Sequence, residues 1–145
     1  SYIAKFQKED LSVTVHFDQS PATIFGLQTR YGEALSLWDG ITGKQRRPDI
    51  LINFSKNGCE HCVIIEVKRT DDDRYRRDSL YKLFGYLYDF NELWSKANIN
   101  PKAALVFPGN ITPTSVVRKS IPFRILSSDK RDQFKIFFED VISSI

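Results

Sequence analysis

Apolar and polar residues alternate along Leu11–Phe17 (LSVTVHF), the period of two expected of a half-buried strand. A turn follows at Ser20-Pro21, and Thr23–Arg30 and Ala34–Trp38 read as two further short strands. Asp39-Gly40 and Thr42-Gly43 then punctuate the chain. Pro48 opens a strand over Asp49–Ser55, where its missing amide hydrogen falls outside the ladder. Cys62–Lys68 (CVIIEVK) is the next strand. Between the two lies Asn57-Gly58, the strongest two-residue hairpin signal, because a type I′ turn needs positive φ at both central positions.

From about Arg74 to Trp94 the pattern lengthens to a helical one. Leu80, Leu83, Phe84, Leu87 and Trp94 fall on one apolar face, and Asp71–Asp73 supply candidate N-caps. Asn100-Pro101 stops the helical region. Ala103–Phe107 (AALVF) is continuously apolar and ends at Pro108-Gly109, as expected of a central strand covered on both faces. Phe123–Leu126 reads as another strand. Phe134, Phe137, Phe138, Val141, Ile142 and Ile145 mark a terminal amphipathic helix, capped by Ser127, Ser128 or Asp129. This order predicts an α/β or α+β sandwich, a mixed sheet with helices packed against it.

The hairpin carries the first chemical information. Asp49 and Glu66 each stand eight positions from the Asn57-Gly58 turn, so the turn places them directly opposite each other on one face. Opposed residues of antiparallel strands have Cβ atoms about 4.5–5.5 Å apart, where like charges destabilise unless something offsets them. Lys68 shares the face of Glu66, and Val67 points away. A divalent cation would offset the two carboxylates better than one lysine, and hard oxygen ligands suit Mg²⁺ or Mn²⁺.

Charge and composition narrow the setting. The 145 residues suit one domain, with the chemistry carried in residues 1–145 as a unit. The net charge of +3 is concentrated: Lys44–Lys82 holds ten basic and seven acidic residues, and the flanks balance. That suits a polyanionic substrate. No apolar run is long enough to span a bilayer and no signal peptide is apparent, so a cytoplasmic or nuclear setting is the default expectation. The chain begins at Ser1 and contains no Met, which suggests a domain of a longer polypeptide. Cys59 and Cys62 flank His61, but the remaining histidine, His16, is far away, so buried or half-buried strand cysteines are expected rather than a zinc site, with a redox pair as the alternative.

Pro48-Asp49, a hairpin, and Glu66-Val67-Lys68 together resemble the signature of the PD-(D/E)XK, or restriction-endonuclease-like, nuclease superfamily. The resemblance covers roughly Arg46 to Phe107. It implies a restriction-endonuclease-like mixed sheet flanked by helices, and a Mg²⁺- or Mn²⁺-dependent deoxyribonuclease. Asp49, Glu66 and the Val67 backbone carbonyl would be metal ligands, and Lys68 the catalytic lysine. Many members carry a further acid upstream on a helix. Glu33 is the nearest candidate here, although the pattern places it near a strand start. Relatives also place polar residues on the helix after the EXK strand, where Lys82 and Tyr86 share a face, with Tyr75 and Asp78 on the same side. Arg46, Arg47, Arg69, Arg76 and Arg77 are candidates for phosphate contacts. Arg47–Ile50 and Tyr81–Asp89 look most like nuclease modules of prokaryotic restriction and antiviral defence systems.

DNA is thus the expected partner, with RNA also open. Cutting both strands of a duplex would need two sites, which points to a homodimer or to partner domains in a longer chain. Two other readings compete: a nuclease fold that holds nucleic acid without cutting, and an interaction domain in which Glu66 and Lys68 form only an exposed ion pair.

Overall fold

The computed structural model describes residues 2–43, 45–70, 72–109 and 118–145. Six strands form one sheet in chain order: β1 (Tyr2–Lys8), β2 (Leu11–Phe17), β3 (Ile50–Lys56), β4 (Cys59–Val67), β5 (Ala103–Phe107) and β6 (Phe123–Ser127). Strands β1 to β4 run antiparallel, whereas β4, β5 and β6 are parallel. Four α-helices accompany them among the described residues: α1 (Pro21–Phe25), α2 (Arg30–Leu35), α3 (Asp73–Asp89) and α4 (Arg131–Ser143). This mixed sheet with flanking helices is an α+β fold.

The β3–β4 register is the one the turn predicts. Lys56 pairs with Cys59 and Ile50 with Ile65, and Asn57 and Gly58 adopt φ of 51° and 80°. Both values lie in the left-handed region that glycine, and to a lesser degree asparagine, tolerates.

Alternation along β4 then divides the core. Val63 and Ile65 join Ile52, Phe54, Val106 and Leu126 beneath Phe137 and Val141 of α4. Ile64 points the other way, joining Leu105 and Phe107 beneath Leu83, Tyr86, Phe90 and Trp94 on the α3 side. All five residues of β5 are buried, as a central parallel strand covered on both faces requires.

Several expectations are corrected. No strand forms over Thr23–Arg30 or Ala34–Trp38: α1 runs into the first, and α2 begins at its last residue and ends within the second, where a turn follows. Capping chemistry outweighs their β-branched and aromatic content. The Ser20 hydroxyl accepts from the Ala22 amide with Pro21 in the first turn, Gly26 ends α1 at φ 64°, and Thr29 accepts from the Gly32 amide. Strand β1 is an edge strand not anticipated from its pattern, since Ile3 and Phe6 remain exposed. The expected helix to Trp94 ends at Asp89, and Asn91–Trp94 is a 3₁₀ turn. The N-cap of α3 is Asp72, whose carboxylate accepts from the Tyr75 amide; Asp71 lies outside the described residues. None of Ser127, Ser128 and Asp129 caps α4, which begins after Lys130 without a side-chain cap. The Ser127 hydroxyl instead donates to the Gly109 carbonyl.

The cysteines are free; Cys62 is buried as expected, but Cys59, at the first position of β4 beside the turn, is exposed. Three residues apart on one strand, they face opposite sides of the sheet, which excludes a disulfide between them. Burial, with the nearby Glu60 carboxylate, pushes the Cys62 thiol up to about 12. A maleimide reagent at pH 7.5 is therefore expected to label Cys59 alone in the folded protein and both cysteines in urea, read by mass spectrometry; labelling of Cys62 under native conditions would contradict this packing.

His61 is buried, and its Nε2 donates to the Pro101 carbonyl at 2.9 Å. Burial lowers its pKa more than that hydrogen bond raises it. The folded state thus binds fewer protons than the unfolded one below about pH 6.5, so stability contributed by neutral His61 is present above that pH and lost as pH falls. The urea midpoint is expected to drop between about pH 6.5 and 5.5 in the wild type, and to drop less in His61→Gln.

Candidate active site

The α3-facing side of β4 ends in a buried charge. Glu66 is 1% exposed, because its even position directs it inward with Ile64. Its Oε1 accepts the Asp49 amide at 2.9 Å. Its Oε2 lies 3.4 Å from Lys68 Nζ and 3.6 Å from Lys82 Nζ. Asp49, immediately before β3, returns the exchange, accepting the Val67 amide through Oδ2 at 2.8 Å. The two carboxylates thus stand opposite each other, as the hairpin register predicts, and each is satisfied by a backbone amide of the other's strand.

The Val67 carbonyl has a special position. The amides of Ile64 and Lys68 donate to carbonyls at Lys102 and Val106, toward β5. The intervening residues Ile65 and Val67 therefore direct their backbone groups toward β3. Continuing the register beyond Ile50–Ile65 sets Val67 opposite Pro48, which is buried. Proline has no amide hydrogen, so this rung cannot supply a donor to the Val67 carbonyl.

Helix α3 completes the cluster. Lys82 is about half exposed at its side chain, and Tyr86 is buried, with its ring stacked on Phe90 at 5.4 Å between centroids. Partial burial works to lower the Lys82 pKa, but the Glu66 carboxylate, Tyr86 and Asp49 outweigh it, so the net shift is upward. Burial and then the Glu66 carboxylate raise the Tyr86 pKa. Both groups keep their protons at neutral pH. The Tyr86 hydroxyl lies 3.4 Å from the Arg47 carbonyl.

Asp49, Glu66, Lys68, Lys82 and Tyr86 are thus brought together. Glu33 is on a helix, α2, rather than at a strand start, and pairs with Arg30 at 2.8 Å. Among the described residues, no group of three or more His, Cys, Asp or Glu side chains could hold a metal, so Glu33 does not add a third acid to the pair. Arg47 pairs with Asp18 at 3.6 Å and Arg76 with Asp73 at 3.5 Å, both largely exposed. Arg69 and Arg77 are exposed at the end of β4 and on α3. Arg46 is committed within the protein: Nη1 donates to Asp89 Oδ2 at 2.6 Å, and its guanidinium lies 4.2 Å above the Tyr86 ring. Asp89 has no sequence signal, being 43 residues from Arg46.

The two carboxylates at this point offer hard oxygens, the ligand type that Mg²⁺ and Mn²⁺ take. Comparison of the chain with family models, curated proteins and solved structures finds no match. Among the described residues, no helix is long and apolar enough to cross a membrane.

Proposed function

We propose that the protein is a metal-dependent nuclease of the restriction-endonuclease-like kind, hydrolysing phosphodiester bonds of DNA. One observation carries this reading. Asp49 and Glu66 face each other at the end of adjacent strands, each accepting a backbone amide from the other's strand, with two lysines on Glu66 Oε2. Asp49, Glu66 and the Val67 carbonyl would hold Mg²⁺ or Mn²⁺. Bound there, the ion supplies Lewis acidity toward the phosphate and lowers the pKa of water. Lys68, held against Glu66, orients the attacking water and offsets charge developing on the phosphate. Lys82, protonated and half exposed, offers a cation to a substrate phosphate oxygen. Tyr86, protonated, holds the Arg47 carbonyl and faces Lys82.

The lysine pair on Glu66 Oε2 favours a second reading, a nucleic-acid-binding module of the same fold that does not cut. One experiment separates the two. Linear, circular and single-stranded DNA and RNA are incubated with Mn²⁺, with EDTA as control, and divalent binding is followed by calorimetry. Cleavage that EDTA stops supports the nuclease. Salt-dependent DNA binding without metal binding or cleavage supports the binding module. Cleavage of RNA alone would move the substrate to that polymer.

A further inference from the structure

The candidate site is built from two separate pieces. Asp49 and Glu66 come from the β3–β4 hairpin, while Lys82 and Tyr86 come from α3. Besides the Lys82–Glu66 pair and the Tyr86–Arg47 hydrogen bond, one side chain at the approach to β3 bridges them. Arg46 Nη1 donates to Asp89 Oδ2 at 2.6 Å, its Nη2 lies 3.4 Å from the Lys82 carbonyl, and its guanidinium covers the Tyr86 ring at 4.2 Å. The Asp89 side chain is only 9% exposed, so the pair sits where a charge-assisted hydrogen bond is poorly screened. Gly85 leaves the room: a Cβ there would stand 2.8 Å from Arg46 Nη1. One residue on, the Arg47 carbonyl meets the Tyr86 hydroxyl, and Asp49 follows two residues later.

We infer that Arg46 is a positioning residue, a clamp through Asp89, Tyr86 and Gly85 that fixes the strand carrying Asp49 against the helix carrying Lys82. It acts through these groups and not as a contact to substrate phosphate. Its fork geometry matters, because it bonds Asp89 and the Lys82 carbonyl while lying flat on Tyr86, which a lysine cannot reproduce. The inference rests on the nuclease reading for its kinetic consequence, but its structural content does not.

The test uses Arg46→Ala, Arg46→Lys, Asp89→Asn and Gly85→Ala, each checked for a cooperative urea transition. With a labelled oligonucleotide and Mn²⁺, all four are expected to lose about 10–100-fold in kcat, as for groups that orient ligands from behind, with KM little changed. Millimolar guanidinium should restore part of the activity of Arg46→Ala. Metal-free DNA binding should keep the wild-type slope against log salt in Arg46→Ala. A slope shallower by about 0.9, with kcat intact, would make Arg46 a phosphate contact and overturn the clamp. Hydrogen exchange on the metal-free protein gives a readout independent of cleavage. Residues 45–49 and 82–89 should exchange faster together in Arg46→Ala and Asp89→Asn, with β1 and β2 unchanged. Unaltered exchange in both segments would overturn the clamp even if the wild type cuts nothing, whereas wild-type inactivity alone would overturn only the nuclease reading.

Discussion

Asp49→Asn is expected to lose about 10³-fold or more of divalent-dependent cleavage while the protein keeps its fold. The two halves of this expectation have separate causes. Asparagine retains an oxygen that can accept the Val67 amide, so the contact made by Asp49 Oδ2 survives. Asp49 is exposed, and stability should stay within about 0.5 kcal/mol of wild type. The charge of a proposed metal ligand is nevertheless gone. Metal-assisted stabilisation of a phosphoryl transition state amounts to several kcal/mol, and each 1.36 kcal/mol is tenfold in rate. Initial rates with Mn²⁺, set beside scanning calorimetry, check both halves. Wild-type rates in Asp49→Asn would sink the nuclease reading.

The second large effect concerns stability and holds whether or not the protein cuts DNA. Glu66→Leu leaves the Lys68 ammonium, whose side chain is 7% exposed, without its carboxylate partner. Removing one member of a buried pair costs on the order of 3–5 kcal/mol, because the remaining charge is desolvated and uncompensated. Adding Lys68→Met in that background removes the stranded charge and should recover about 2 kcal/mol or more. Urea denaturation without divalent ions measures the cycle. Strictly additive effects would mean that Lys68 escapes to solvent and that the ion pair contributes little. The expected coupling also explains why the pair is a poor device for stability alone: apolar residues of similar volume would serve the α3 side of the core as well. The Asp49 amide on Glu66 Oε1 and the two lysines on Oε2 offset the cost of burying the charge.

How much of this was legible depends on the range of the interaction. Asn57-Gly58 selects its turn by local sterics, and the turn dictates the register, so the pairing of Asp49 with Glu66 followed from a dipeptide. The helical period of α3 and the buried run of β5 were equally local, although Phe84, expected on the apolar face, is half-exposed and Tyr86 is buried there. The segment between β2 and β3 was misread because Thr23–Phe25 has strand-like composition while the deciding groups, the Ser20 and Thr29 hydroxyls, act at the ends. The edge strand β1 was missed because its apolar residues Ile3 and Phe6 are not buried, which leaves the burial signal weak.

The sequence by itself determined the hairpin, the face shared by Asp49, Glu66 and Lys68, and the helix that follows, because each depends on neighbours within a few residues or on a fixed period. Only the tertiary structure decided which α3 side chains meet Glu66, and that Arg46 spends its charge on Asp89 and Tyr86. Those contacts join residues from separate elements, here up to 43 positions apart. Their partners are chosen by how the helix packs on the sheet, and no local pattern encodes that packing.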